Sequence, residues 1–297
     1  MTPSTSSTLV VGIDGTGDGE RALRYGLALA RREDLSLRLV HVAPQPQVHA
    51  PVRPYLPEPQ RVQIGQTVLA QARSSAEAAG FDPERTATVL AHGPRTAALL
   101  QQARDARCVV LGTRSSGLQH LFTGSTSLSV AAHADLPVHC VPRLWDDEDE
   151  ARGVVVAGLD GSDADEDVVA AAFDQAEVRS GTTLRFVHAW RPVGLYETAI
   201  LGRTLRARWE DSAREPLTKR IEEAARHHPG VAWGLDLRYE RMPVALHMAA
   251  DEADVLVLGR HGHLVPTGLL VGSNTRTLLR AATCPVVVVP VRTGHQR

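Results

Sequence analysis

The chain carries one long phrase twice. Leu9-Val10-Val11-Gly12-Ile13-Asp14-Gly15-Thr16 returns as Val154-Val155-Val156-Ala157-Gly158-Leu159-Asp160-Gly161-Ser162, so that the two aspartates stand 146 residues apart. Leu37-Arg38-Leu39-Val40-His41-Val42 returns as Leu184-Arg185-Phe186-Val187-His188-Ala189, its histidines 147 apart. Gly124-Ser125-Thr126 returns as Gly272-Ser273-Asn274 at 148. An offset that drifts so little across a whole domain is the mark of a tandem duplication. A chain of 297 residues is long for one α/β unit and comfortable for two, each with its own core.

Within each copy, short Val- and Leu-rich runs alternate with helical patterns, through Ala22, Leu23, Leu27 and Ala30 in the first and from Ala170 to Ala176 in the second. Strand and helix in alternation predict a parallel sheet with helices on both faces, that is, two tandem doubly wound five-stranded α/β domains. Asp146-Asp147-Glu148-Asp149-Glu150 reads as a solvated linker between them. The expected divisions are residues 1–144, a linker at 145–152, and residues 153–297. The stretch from Ala43 to Pro59 is rich in proline and is expected to be a non-helical loop, with Arg191-Pro192 onward as its counterpart.

The second copy also contains Asp254-Val255-Leu256-Val257-Leu258-Gly259-Arg260-His261-Gly262, followed after nine residues by Gly272-Ser273 and a leucine-spaced helical pattern. Strand, glycine loop and helix start together make a candidate phosphate cradle, because glycine admits close backbone approach and a helix N-terminus favours an anion. Glycines that merely end a strand, and a serine that merely caps a helix, are the competing reading. In doubly wound sheets ligands gather beyond the strands' carboxyl ends, where both the Asp-Gly corner and this loop fall.

Composition removes several alternatives. Lys219 is the chain's single lysine, so no Walker-type glycine-lysine loop exists and phosphate must be held by amides, hydroxyls, arginine and metal. A net charge of -2 argues against a general nucleic-acid binder. The polar start Met1 to Thr8 lacks the pattern of a signal peptide, and no apolar run is long enough for a bilayer, which sets the expectation of a cytoplasmic, non-membrane protein. Cys108, Cys140 and Cys284 sit in apolar strand-like runs without C-x-x-C pairing and are expected to be structural. His41 and His188 are expected to be packed and hydrogen bonded, and His227-His228 to be solvated at a helix end. His261 and His263 flank Gly262 and are read as loop histidines near phosphate rather than metal ligands.

These residues resemble the universal stress protein family, whose marks are a first strand ending in D-G-S or D-G-T, a second ending in a V-H-V-like phrase, a G-x2-G-x9-G-[ST] loop and a final C-P-V or L-P-V strand. The second half has all of them, including Cys284-Pro285-Val286, and the pair of copies is similar to the family's tandem-domain members. The resemblance implies an adenine-nucleotide-binding, Rossmann-like domain of the adenine nucleotide alpha hydrolase type, with strand order 3-2-1-4-5. It implies ATP, with Mg2+ as companion, and association through the final strands, as a pseudo-dimer within the chain or a homodimer. Asp160 at its Asp160-Gly161 corner would approach ribose and phosphates, and Ala189 would offer its backbone to adenine. Gly259, Arg260, Gly262, Gly272, Ser273 and Asn274 would hold the phosphates. The equivalents in the first half are Asp14, Gly15, Val42, Gly112, Arg114, Gly124, Ser125 and Thr126.

The first half departs from the pattern. Ser115 stands at the second glycine and the spacing to Gly124 is one residue short, so the first site is expected to bind more weakly. A non-glycine residue at a left-handed position costs about 1–2 kcal/mol, about tenfold in affinity. No catalytic set beyond Asp160 and Arg260 suggests itself, and neither fits a phosphoryl-transfer arrangement. The reading is therefore an ATP-binding, nucleotide-dependent stress-response regulator. A slow ATPase or related nucleotidyl-transfer enzyme, and an interaction scaffold without nucleotide, stand as alternatives.

Overall fold

Strand β1 (Thr8–Gly12) is apolar toward both sides, and Leu9, Val10 and Val11 are all fully buried, which only a sheet covered on both faces can do. The computed structural model describes residues 7–43, 57–113, 126–146, 151–179, 181–191, 203–260 and 271–291, residues 203–208 by backbone alone. Their contacts divide the chain into two compact units, Met1–Asp147 and Glu148–Arg297.

In the first unit β1 leads to α1 (Gly17–Arg32), β2 (Ser36–Val42), α2 (Glu58–Ala78), β3 (Thr86–Ala91), α3 (Arg95–Gln102), β4 (Cys108–Gly112), α4 (Thr126–His133) and β5 (Val138–Val141). All pairings are parallel, and the strands lie in the order β3-β2-β1-β4-β5. Helices α1 and α2 pack on each other and α3 on α4, giving a helical layer to each face. One face joins Leu9 and Val11 to Leu23, Leu27 and Leu69 in a single core cluster. Period-2 alternation on β1 thus sends Val10 to the opposite face, where it too is dry.

The second unit repeats the plan with β6 (Val154–Leu159), α5 (Asp165–Glu177), β7 (Thr183–Ala189), α6 (Arg203–Ala225), β8 (Ala232–Arg238), α7 (Met242–Ala250), β9 (Val255–Gly259), α8 (Ser273–Ala281) and β10 (Val286–Val289). Its strands run in the order β8-β7-β6-β9-β10, again all parallel. Both units therefore have the order 3-2-1-4-5 and the doubly wound α/β fold. Strands β1 and β6 are kept close to their neighbours by glycine: a Cβ on Gly12 would lie 2.4 Å from Leu111 Cδ2, and one on Gly158 2.8 Å from Leu258 Cδ2.

Two expectations need correction. The proline-rich stretch ends sooner than expected, because α2 starts at Glu58 with Pro57 at its N-cap and Pro59 in its first turn. Proline is well tolerated there, since its missing N–H would have no helical partner anyway. His228, expected in solvent, stacks on Phe173 at 5.2 Å and 8° and bonds Glu177 Oε2 at 2.8 Å.

The ends of the second unit's central strands are held by one carboxylate. Asp254, just ahead of β9, accepts from the backbone N–H groups of Arg152, Gly153 and Val154 at 2.7, 2.8 and 3.2 Å, fixing the chain as it enters β6. A hydrogen bond to a charged group contributes roughly 1.5–3 kcal/mol net, and less where water reaches it, as at the half-buried Asp254. Asp254→Ala is therefore expected to lower the stability of the second unit by about 2–3 kcal/mol in urea unfolding; a change under about 0.5 kcal/mol would contradict this role.

All three cysteines are buried and free. Burial pushes the Cys140 and Cys284 thiols up to about 12 and raises Cys108 as well, so none offers a thiolate near neutrality. Maleimide at pH 8 should leave the native protein unmodified and label all three thiols once it is unfolded; rapid labelling of the native chain would count against their burial.

Candidate functional site

In each unit the first strand lies between the second and the fourth, and chain order reverses between the first and the fourth. Ligands collect beyond the carboxyl ends at such a switch point. In the second unit the register pairs Leu159 with His188 and Gly158 with Leu258. The segments leaving β9, β6 and β7, which begin at Arg260, Asp160 and Trp190, therefore start side by side at spacings of about 4.8 Å.

The corner after β6 is a tight carboxylate-closed turn. Asp160 Oδ1 accepts from the Ser162 N–H at 2.9 Å, and Gly161 between them has φ 84°, a left-handed conformation that a side chain would strain. The first unit builds the same turn: Asp14 Oδ1 accepts from Thr16 N at 3.0 Å and from Thr16 Oγ1 at 2.6 Å, with Gly15 at φ 75°. Beneath each corner a buried histidine ties the second strand to the first, His41 Nδ1 to Ile13 O at 2.8 Å and His188 Nδ1 to Leu159 O at 2.9 Å. In the second unit Asp160 Oδ2 and Ser162 Oγ are buried without a hydrogen-bond partner in the protein. Leaving such atoms unsatisfied costs about 1–3 kcal/mol each, so they suit a ligand that supplies hydroxyls or a cation.

Asp165 was not among the residues singled out from sequence. It opens α5 with 2% exposure, and its carboxylate accepts from the Asp160 N–H at 3.0 Å and the Gly161 N–H at 2.8 Å. Arg220 of α6 donates to Ser162 O at 2.8 Å and to Asp165 Oδ2 at 3.3 Å, binding that helix to the corner. Burial pushes Asp165 up to about 7, helped by the nearby Asp160 charge and opposed by the two amides and Arg220. The matching residue in the first unit is Gly19, where a Cβ would sit 2.8 Å from Asp14 Oδ1. The acidic run Asp163-Ala164-Asp165-Glu166-Asp167 at a helix start was the available signal, but it does not say which carboxylate turns inward.

The glycine loop is closed at its base. Arg260 N–H donates to Val289 O at 2.9 Å, Gly272 N–H to Arg260 O at 2.9 Å and Thr275 Oγ1 to Gly259 O at 2.9 Å. Gly272 is the N-cap of α8 with φ -58° and no side-chain cap; the first intrahelical bond is Arg276 N–H to Gly272 O, so Ser273 and Asn274 N–H groups precede the ladder. At 272 the φ of -58° does not demand glycine. Gly112 is a contact glycine, since a Cβ there would lie 2.3 Å from Asp18 O of α1. Ala189 and Val42, the expected adenine contacts, end β7 and β2 and are buried. Thr126 opens α4. Gly262, His261, His263, Arg114, Ser115, Gly124 and Ser125 lie outside the described residues.

An aromatic group lies at the end of β7. Trp209 of α6 stacks on His188 at 5.7 Å and 23° and on Trp190 at 5.2 Å and 20°, and Tyr239 leans on Trp190 at 5.9 Å and 56°. Sequence reading did not connect these residues, because Trp190, Trp209 and Tyr239 lie on three different elements.

The model of the universal stress protein family matches residues 6–142 and again 152–290. A universal stress protein of Mycolicibacterium smegmatis is 30% identical over 299 residues, covering 97% of this chain and 99% of that one. One of Mycobacterium tuberculosis is 30% identical over 295 residues, covering 96% and 98%. In fold, the chain is similar to a universal stress protein from Archaeoglobus fulgidus, with TM-score 0.69 at 15% identity and 98% of both chains covered.

The Asp165 geometry predicts a pH dependence. The folded protein keeps this proton to about 7, whereas an unfolded aspartate loses it near 3.8. Between those values the native state binds more protons, so the Asp165 contribution to stability is full at low pH and is lost as pH rises through 7. Thermal midpoints of Asp165→Asn and the parent chain, compared from pH 5 to pH 8, should diverge, the variant lacking part of the fall toward pH 8. Parallel curves would show that Asp165 does not titrate in this window.

Proposed function

The chain belongs to the universal stress protein family, with the family domain present twice, and from that premise we propose that it binds ATP in its second unit and acts as a nucleotide-dependent stress-response regulator. The observation that carries the reading is the corner after β6, where Asp160 Oδ2 and Ser162 Oγ are buried without protein partners at the sheet's switch point. Asp160 and Gly161 would face ribose and phosphates, and Ala189 would meet the adenine. Gly259, Arg260, Gly262, Gly272, Ser273 and Asn274 would hold the phosphates, the α8 amides and dipole favouring their charge. Mg2+ would travel on the phosphates with Asp160 as its carboxylate contact, since Mg2+ bound with nucleotide needs only one or two carboxylates. Among the described residues no group of three His, Cys, Asp or Glu side chains is placed to hold a metal alone.

The first unit would bind more weakly through Asp14, Gly15, Val42, Gly112, Arg114, Gly124, Ser125 and Thr126, because Ser115 and the shortened spacing alter its loop. Association through the final strands, within a chain or between chains, rests on the β-branched run Val286–Val289 between Pro285 and Pro290. A cytoplasmic location accords with the absence, among the described residues, of any helix long and apolar enough to cross a membrane.

Calorimetry with ATP and Mg2+ tests the reading. One tight site per chain is expected, weakened at least about tenfold by Gly272→Trp, a change that the residue's negative φ tolerates. Equal occupancy of two sites would overturn the asymmetry, and absence of heat, with no nucleotide released on denaturation, would overturn the proposal itself.

A further inference from the structure

The chain has four tryptophans, four tyrosines and four phenylalanines in all, so three aromatic side chains meeting at one strand end are a large local share. Trp190 follows β7, Trp209 comes from α6 and Tyr239 follows β8. Each of the three is only partly buried, whereas His188 and Ala189 beside them are buried. The group is dry at its root and wet at its rim. One residue further on, the Arg191–Glu240 pair at 3.4 Å ties the two strand ends together.

Among the described residues the first unit has no comparable aromatic group at the same place. Ala43 corresponds to Trp190 and His92 to Tyr239, and the residue of α2 facing His41 is Gly65. A Cβ on Gly65 would lie 2.5 Å from Leu90 Cδ1 and 3.0 Å from His41 Cδ2, and one on Gly15 2.9 Å from Val68 Cγ2. Helix α2 therefore lies directly on the ends of β1 and β2, while an indole separates α6 from the end of β7. Space filling alone does not require this, since the small residues of the first unit close the same corner.

Trp190, with Trp209 stacked on it, stands one strand away from the Asp160 corner and two from Arg260, where the chain leaves β9. Two strand spacings are about 10 Å, comparable to the reach of a nucleotide from base to phosphates. A flat, partly exposed π surface at that remove from an anion-favouring loop suits a heteroaromatic ring joined to phosphate. We infer that Trp190 and Trp209 form a stacking wall for the base of a purine nucleotide in the second unit, without a counterpart among the described residues of the first. The inference rests on the proposal that the corner and loop of this unit hold the nucleotide's phosphates. It goes further by assigning base recognition, and the choice of unit, to two side chains.

The test compares ATP with inorganic triphosphate, both with Mg2+, by calorimetry and tryptophan emission on the full chain. Trp190→Ala and Trp209→Ala should each weaken ATP by roughly fivefold to a hundredfold and leave inorganic triphosphate unchanged, while Trp209→Phe, which keeps a π face, should stay within about threefold of the parent. In the unsubstituted protein ATP should alter tryptophan emission and inorganic triphosphate should not, a readout that survives if an alanine variant fails to fold. Unchanged ATP affinity in folded alanine variants, tighter ATP binding by Trp209→Ala, or identical emission responses to the two probes would each overturn the stacking wall. Inorganic triphosphate binding with no added affinity for ATP sinks the wall and spares the phosphate site. Failure of both probes to bind removes both.

Discussion

A carboxylate bonded to backbone amides at the end of a buried central strand is the interaction on which the rest of each unit depends. Strands β1 and β6 are covered on both faces and flanked on both edges, so the chain must turn out of the sheet at once, with its polar groups satisfied on the spot. Asp14 and Asp160 do this by accepting from the residue two positions on, while Gly15 and Gly161 take the left-handed backbone that the turn demands. The histidine at the end of the neighbouring strand locks the same corner from below. What remains of that economy in the second unit is an aspartate oxygen and a serine hydroxyl with no partner in the protein, at the carboxyl end of the sheet's central strand.

Duplication preserved the frame and changed its working edge. The contact glycines Gly12 and Gly158, the strand order and the corner turns agree between units. The differences gather at the carboxyl edge. Gly19 becomes Asp165, a buried acid that takes up the corner amides and is held by Arg220 from α6. Opposite the strand-end histidine stands Gly65 in the first unit and Trp209 in the second, and Ala43 gives way to Trp190. The first unit draws its second helix down onto the strand ends, whereas the second holds its helix off with an aromatic group and anchors it through a guanidinium. Two corners of one origin thus present different surroundings among the described residues, one packed by aliphatic contact and one by rings and a buried acid.

How legible this was depended on the distance over which each feature is encoded. The strands, the switch point and the Asp-Gly corners could be read directly, because period-2 burial and turn glycines act within a few residues. Pro59 was misread because proline forbids the middle of a helix but suits its first turn, and the boundary falls between those two rules. His228 was misjudged because its stacking partner Phe173 lies on another helix. Gly112 serves close approach to α1, which shows only when the neighbouring backbone is in place.

By itself the sequence determined two copies of one α/β unit and the order in which strands and helices alternate, since repeats and hydrophobic period are local or additive along the chain. Only the tertiary structure decided which acid turns inward at the corner, which helix reaches it, and which rings come together at the strand end. Asp165 and Arg220, or Trp190, Trp209 and Tyr239, are brought together by helix packing and strand register, and no local pattern specifies which side chains will then share a dry space of a few ångströms.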